Sequence, residues 1–331
     1  MVYNIYRQII KIILNSFRLQ QGRIQMKKTL VLINSTAGTG KAVSGIMEIV
    51  TKIAKKGNDP IIYPIIPGTG LVSENILKQH DGETDHVICS GGDGTLNHVL
   101  QGVMMMKNKP VIGYIPSGST NDFAASLGLT TDFYQALDIA VNGKPFAYDA
   151  GIMNGKYFNY IAAFGAFSAV SYATKQQLKN IFGHAAYILT AAAELQQNIS
   201  YSCHMKIEAD SFEEEDDYVF GAVFNSLSVA GMKVPVTEKI RLNDGKMELV
   251  LIKSPKNFQE LHFILNDMTR GNVDSPYITF RQIKNVRFIS DENTAWSLDG
   301  EFGGKSSITE ISVIPAAVSI CTPGSIILYE D

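Results

Sequence analysis

Cysteine is scarce in this 331-residue chain: Cys89, Cys203 and Cys321 are all there is, each in an apolar, strand-like run with no Cys-x-x-Cys pair. That excludes a disulfide framework and a structural zinc site, and reads as a reduced, cytosolic protein. A basic excess is missing too. The 29 Lys and Arg against 32 Asp and Glu leave a formal net charge of −3, so nucleic acid is not expected as a partner. No stretch reaches the ~20 apolar residues of a membrane-spanning helix, and residues 1–25 carry no small-residue cleavage site of a secretory signal. The six histidines form no HxxH or HExxH cluster, which argues against a zincin-type metal site. What is present is a 45% hydrophobic, 18% charged chain, folded and long enough to predict two domains.

Residues 1–25 contain Arg7, Lys11, Arg18 and Arg23 and no acidic residue. At helical spacing Arg7, Lys11 and Arg18 fall on one line, opposite Ile5, Ile9, Ile12, Ile13 and Phe17. One reading is a basic amphipathic helix that lies in an anionic bilayer surface. The other starts the protein at Met26, with the preceding residues arising from a misplaced start codon. Both stay open.

From Lys27 short apolar runs alternate with helical stretches. Strands are expected at 29–33, 60–66, 86–89 and 110–115, and helices at 41–56, 71–79, from Thr95 to about 106, and from Asp122 to about 141. Repeated strand–loop–helix order predicts an α/β domain with a parallel sheet. Beyond Asp149 the pattern becomes alternating strands between turn signals, which predicts a second, antiparallel β-sandwich domain. Helical insertions are expected at 175–198 and 256–268. The acidic run Glu213–Asp217 is expected as a solvated hairpin loop.

In a parallel sheet, ligands bind beyond the carboxyl ends of the strands. Three loops there combine small residues, hydroxyls and a helix start: 34–40, Gly91-Gly92-Asp93-Gly94-Thr95, and Gly118-Ser119-Thr120-Asn121-Asp122. Glycine admits backbone N–H groups close to a phosphate, and a helix N-terminus favours the anion. Together they point to a polyphosphate site. Gly38-Thr39-Gly40-Lys41 does not complete a Walker loop, because Ser35 and Ala42 occupy the required Gly and Ser/Thr positions. Val43 likewise breaks a dinucleotide GxGxxG.

Ser90-Gly91-Gly92-Asp93-Gly94-Thr95-Leu96-Asn97, Gly118-Ser119-Thr120-Asn121-Asp122-Phe123-Ala124 and Leu298-Asp299-Gly300-Glu301, in that order, resemble the bacterial diacylglycerol kinase-like lipid kinases. Their nucleotide domain is shared with sphingosine kinases and, more remotely, NAD kinases and phosphofructokinases. The likeness covers about residues 27–331. Asn34–Gly38 resembles the family's Asn-Pro-Thr/Ser-Ser/Ala-Gly loop, with Ser35 in place of the proline, and Ser119 stands where a threonine is common.

The resemblance implies a Rossmann-like nucleotide domain over 26–148 plus 317–331 and a β-sandwich lipid domain over 149–316, with the cleft between them. It implies transfer of the γ-phosphoryl of ATP to a lipid hydroxyl, diacylglycerol giving phosphatidic acid by default. ATP is expected along Asn34, Ser35, Thr36, Ala37, Gly38, Thr69, Gly91, Gly92, Asp93, Gly94 and Thr95, with Ser119 near the phosphates. Asp93 and Asp122 are the carboxylates expected to hold Mg2+, with Asp149 joining them; Asp122 could equally cap the helix that follows. Glu301 is the expected general base, with Asp299 supporting it; the residues alone read Asp299-Gly300-Glu301 as a turn. Around Asn243-Asp244-Gly245-Lys246 the family holds a structural metal, here through the Asp244 side chain and the Arg241 and Lys246 carbonyls, although Asp-Gly is also a common hairpin turn. The expected setting is the cytosolic face of the cell membrane, with peripheral lipid contact and room for a homodimer. Two competing readings remain: an NAD kinase-like enzyme, and a nucleotide- or lipid-binding regulator without catalysis.

Overall fold

A computed structural model describes residues 27–34, 41–165, 202–229, 232–233, 240–272 and 275–324. The basic segment 1–25, the expected helix at 175–198, and Ser35, Thr36, Ala37 and Gly38 lie outside the described residues.

The first half is built on β1 (Lys28–Asn34), β2 (Asp59–Ile65), β3 (Thr84–Gly91) and β4 (Val111–Pro116), parallel and ordered β2-β1-β3-β4. Helices α1 (Lys41–Ser44), α2 (Ile46–Lys55), α3 (Ser73–Gln79), α4 (Asp93–Met105), α5 (Asp122–Ser126) and α6 (Phe133–Asn142) lie between and after the strands. The two-residue period of β1 explains why both faces are covered. Leu30 and Leu32 pack with Ile76 and Leu77 of α3 and Leu96, Val99, Leu100 and Val103 of α4. Val31 and Ile33 face Ile49 and Ile53 of α2 and Ala136, Leu137, Ala140 and Val141 of α6. A fully buried Leu or Ile contributes ~1.5–3 kcal/mol, so these two layers fix the strand ends from which the loops emerge.

The second half is antiparallel and strand-rich, as a β-sandwich requires. It comprises β5 (Lys144–Met153), β6 (Lys156–Phe158), β7 (Ile161–Gly165), β8 (Cys203–Ala209), β9 (Phe212–Phe224), the short ribbon β10 (Ser228–Val229) and β11 (Met232–Lys233), β12 (Met247–Lys253), β13 (Ile278–Ile283), β14 (Asn285–Leu298) and β15 (Glu301–Thr322). Its core gathers Phe164, Phe288 and Trp296 with Met205, Ile207, Leu249 and Leu251. Helix α7 (Phe258–Arg270) begins at Asn257, whose side chain accepts from the Glu260 amide, and ends at Gly271 in the left-handed region. The 22-residue β15 pairs with β14 and with β5, and its Ile320 lies beside Ile112 of β4 in parallel. Through that strand the order runs continuously as β13-β12-β9-β7-β14-β15-β4-β3-β1-β2.

The acidic run is a strand, not the expected loop. Glu213–Asp217 lie in β9, where successive side chains take opposite faces. Lys206 meets Glu213 at 2.8 Å, and His204 meets Glu215 and Asp217 at 3.2 and 3.0 Å on one face. Lys253 meets Glu214 and Asp216 at 3.1 and 2.8 Å on the other. Cross-strand cations divide the like charges between two faces, which makes the extended conformation tolerable.

Candidate active site

Parallel pairing brings the ends of β1, β3 and β4 to one side of the sheet, and local packing then draws their loops together. The loops after β3 and β4 touch backbone to backbone. A Cβ on Gly118 would lie 2.6 Å from the Gly92 Cα, and one on Gly92 would lie 3.1 Å from the Gly118 Cα. Glycine at 118 is required by that approach, and a side chain at 92 would push the facing backbone back by a few tenths of an ångström. The end of β1 is tied in by Asn34, whose Nδ2 donates to Thr95 Oγ1 at 2.9 Å. Thr69 sits in the exposed turn after β2, where its hydroxyl donates to the Ile66 carbonyl and accepts from the Leu71 amide. Ser119 is exposed in the loop after β4.

Asp93 opens α4, but its carboxylate serves the next helix. It accepts from the amides of Asp122 at 3.2 Å and Phe123 at 3.4 Å, and from Thr120 Oγ1 at 3.4 Å. The capping of α5 therefore comes from Asp93, while Asp122 is the first helical residue. Asn121, with φ 52°, closes a reciprocal pair with Gly118. The Asp122 Oδ1 accepts from Ser228 Oγ at 2.9 Å, and Ser126 Oγ meets Ser226 Oγ at 2.8 Å. These bonds fasten α5 to the segment following β9.

Burial pushes the Asp93 carboxyl up to about 6, and the negative charge of Asp122 adds to the push; the two α5 amides oppose it, and Asp299 contributes further upward. Buried carboxylates with negative neighbours are a fitting seat for a hard divalent cation such as Mg2+. Among the described residues no three His, Cys, Asp or Glu side chains converge as a metal cage. A cation held by Asp93 and Asp122 would take its remaining oxygens from phosphate and water, the usual manner for Mg2+.

The carboxylate from the far half arrives on a tight turn. Asp299 (φ 48°) and Gly300 (φ 83°) link β14 to β15, with Leu298 paired to Glu301. Two left-handed residues in a two-residue hairpin make a type I′ turn, which Asp-Gly suits. Asp299 is buried and accepts from the Asn159, Tyr160 and Ile161 amides and from the Asn159 and Asn97 side chains, at 2.7–3.1 Å. Burial pushes its carboxyl up, and these donors oppose the push. Because Asn97 belongs to α4, the turn is bolted to the first half. The result places the Glu301 carboxylate over the start of α4, where its Oε1 lies 2.8 Å from the position a Gly94 Cβ would take. The glycine next to Asp93 thus leaves room for Glu301.

Asp149 does not join this group. Its Oδ2 accepts from the Gly245 amide at 2.6 Å and its Oδ1 from the Ala316 amide at 2.7 Å. Burial pushes its carboxyl up; those two amides oppose, and the Asp244 charge reinforces the push. Asp149 braces the 243–246 turn, where exposed Asp244 accepts from the Lys246 amide at 3.0 Å. The Arg241 guanidinium leans on the Ile240 carbonyl.

Several participants escaped the sequence reading. Asn97 was visible in the motif but had no role; its place one helical turn after Asp93 and Gly94 was the available signal. Ser228 and Asn159 reach the site only through tertiary packing, and nothing local marks them.

Known proteins resemble both halves of the chain. Residues 28–153 match the diacylglycerol kinase catalytic domain, and residues 161–322 match the YegS C-terminal NAD kinase beta sandwich-like domain. A diacylglycerol kinase of Staphylococcus carnosus (strain TM300) is 31% identical over 281 residues, 84% of this chain and 90% of that protein. One from Staphylococcus aureus (strain MRSA252) is 30% identical over 282 residues, 84% and 87% of the two chains. The solved structure of a diacylglycerol kinase from Bacillus anthracis (strain Sterne) superposes with a TM-score of 0.68 at 18% identity, covering 91% of this chain and 98% of the other. This chain belongs to the diacylglycerol kinase family of lipid kinases, and it is an enzyme that moves a phosphoryl group to a hydroxyl.

Proposed function

We propose that the enzyme transfers the γ-phosphoryl of ATP to the free hydroxyl of diacylglycerol, giving phosphatidic acid and ADP. The observation that carries this reading is the seat of Glu301 beside Gly94, on the first turn of the helix that Asp93 opens. In this reading residues 26–148 with 317–331 form a Rossmann-like ATP-binding unit, and 149–316 form the lipid-binding sandwich. The loops meeting at Gly92 and Gly118, with Asn34, Thr95 and Ser119, receive the phosphates; Ser35, Thr36, Ala37, Gly38 and Thr69 extend that contact along the nucleotide.

Phosphoryl transfer rests on positioning and charge neutralisation more than on covalent catalysis. Glu301 takes the proton of the acceptor hydroxyl as its oxygen bonds to the γ-phosphorus, the bond to the bridging oxygen breaks, and ADP leaves. A positioned base contributes about 10²–10⁴ in rate. Asp93 and Asp122 would hold Mg2+, whose chemistry here is neutralisation of charge on the phosphate oxygens. Asp299 fixes the direction from which Glu301 approaches. Among the described residues no helix is long and apolar enough to cross a membrane. In the proposed reading the enzyme meets its lipid peripherally, at the cytosolic bilayer surface where ATP is available.

The test is incubation with γ-labelled ATP and, separately, diacylglycerol vesicles, a total lipid extract, and NAD. Label in phosphatidic acid is the expected result. Label in another lipid from the extract would change the acceptor and keep the reaction. Label in NADP would favour the reading raised by the NAD kinase-like sandwich match. ATP binding without any labelled product would favour a regulator.

A further inference from the structure

Helix α4 carries Gly94, His98 and Gly102 at one-turn spacing, and the proposed reaction uses neither His98 nor Gly102. Residues four apart share a helix face. Each glycine admits a different element. At Gly94 the Glu301 carboxylate packs in from β15. At Gly102, helix α3 comes so close that an added Cβ would meet the Glu74 Cα at 3.1 Å and Leu77 beside it. His98 lies between the two glycines on that face. Its Nδ1 sits 2.7 Å from Glu74 Oε1.

We infer that His98 is a positioning residue for phosphoryl transfer: clamped by Glu74, its imidazolium draws the Glu301 carboxylate against the face of α4 and holds it toward the acceptor hydroxyl. This rests on the reading of Glu301 as the general base.

The electrostatics agree with the placement. The hydrogen bond that His98 donates to Glu74 raises the His98 pKa; partial burial opposes it, and the charges of Glu74 and Glu301 raise it further. Reciprocally, burial pushes the Glu74 carboxyl up, but the His98 hydrogen bond and charge leave it below its ordinary value. Other titratable groups on this helix and the elements packed against it include Asp93 on α4, Lys78 on α3, Asp85 and His86 on β3, Lys156 on β6, and Lys305 and Glu310 on β15. The Lys156 ammonium is engaged by the Gly303 carbonyl at 2.9 Å. Buried Asp299 reaches α4 through Asn97. A raised pKa keeps the imidazole charged to higher pH than an ordinary histidine, so the clamp is complete below that pKa and is lost as pH rises through it.

The test combines an NMR titration of the His98 ring with vesicle kinetics. Glu301→Gln and Glu74→Gln should each lower the His98 pKa. His98→Gln should lower kcat about two- to five-fold, the scale of a partly exposed ion pair. It should leave the KM for ATP unchanged and remove the alkaline limb of the pH–rate profile that His98 supplies. Glu74→Gln should move that limb to lower pH, and His98→Arg should restore rate on the alkaline side. An unchanged His98 titration in Glu301→Gln, or an unchanged profile in His98→Gln, would overturn the inference. Full activity of Glu301→Gln would instead remove the base reading beneath it, and the titration would still report whether the two groups face each other.

Discussion

Two Asp-Gly turns, alike in sequence, end in opposite environments. At 299–300 the aspartate is buried and accepts five hydrogen bonds, from Asn159, Tyr160, Ile161 and, across the two halves, Asn97. At 244–245 the aspartate is exposed and turns back on the Lys246 amide, while Asp149 holds the turn from beneath. A dipeptide sets the backbone of a turn, but the donors around it decide whether its carboxylate is structural. The buried turn fixes a neighbour, Glu301, in a place useful to chemistry. At the exposed turn, the residue with the structural duty is Asp149.

That contrast can be broken by substitution. Asp299→Ala should have the largest effect on stability. It strands buried amides that each cost about 1–3 kcal/mol when unmet, so a loss of at least about 3 kcal/mol is expected in chemical denaturation, with activity falling alongside. A loss below about 1 kcal/mol would show that Asp299 is not the anchor.

Asp93→Asn should separate stability from activity. The ordinary aspartate value is 3.8 and burial pushes Asp93 up to about 6, so the folded state holds its proton more tightly than the unfolded state. Ionisation at this site therefore weakens the fold as pH rises from about 4 through 6. The variant escapes that penalty, and its melting temperature relative to the parent should rise across the same window when no divalent cation is added. Added Mg2+ should shrink the difference by stabilising the parent, while turnover of the variant falls about 10²-fold or more. A melting difference independent of pH would contradict the assignment.

Ser228→Ala removes the hydroxyl that Asp122 accepts from across the halves. A net hydrogen bond to a charged group is worth about 1.5–3 kcal/mol, so a measurable but smaller loss of stability is expected than for Asp299→Ala. Asp244→Ala should be the mildest, within about 1 kcal/mol by denaturation, because only an exposed side-chain bond to a local amide is lost. A large, Mg2+-dependent effect there would instead support a structural metal at the exposed turn.

Much of this was legible in the chain. The alternation of Leu30–Ile33 between two covered faces, and the glycines flanking Asp93, are local signals of a layered sheet and a close backbone approach. The extended state of Glu213–Asp217 was not legible, since it depends on Lys206, His204 and Lys253 arriving from other strands. The capping of α5 by Asp93, rather than by Asp122, required the contact of the Gly92 and Gly118 loops. The family resemblance implies Asp149 as a third member of the acidic group; its side chain accepts from the Gly245 and Ala316 amides. Side chains whose duty is to join distant elements leave little trace in their own neighbourhood of sequence.

The most direct measurement is the turnover of Glu301→Gln on diacylglycerol vesicles, with ATP affinity measured in parallel. A fall in kcat of about 10²–10⁴-fold with ATP binding unchanged is expected of a lost general base. Turnover within about three-fold of the parent would contradict the role given to Glu301, because a base on the reaction path cannot be removed at so small a cost.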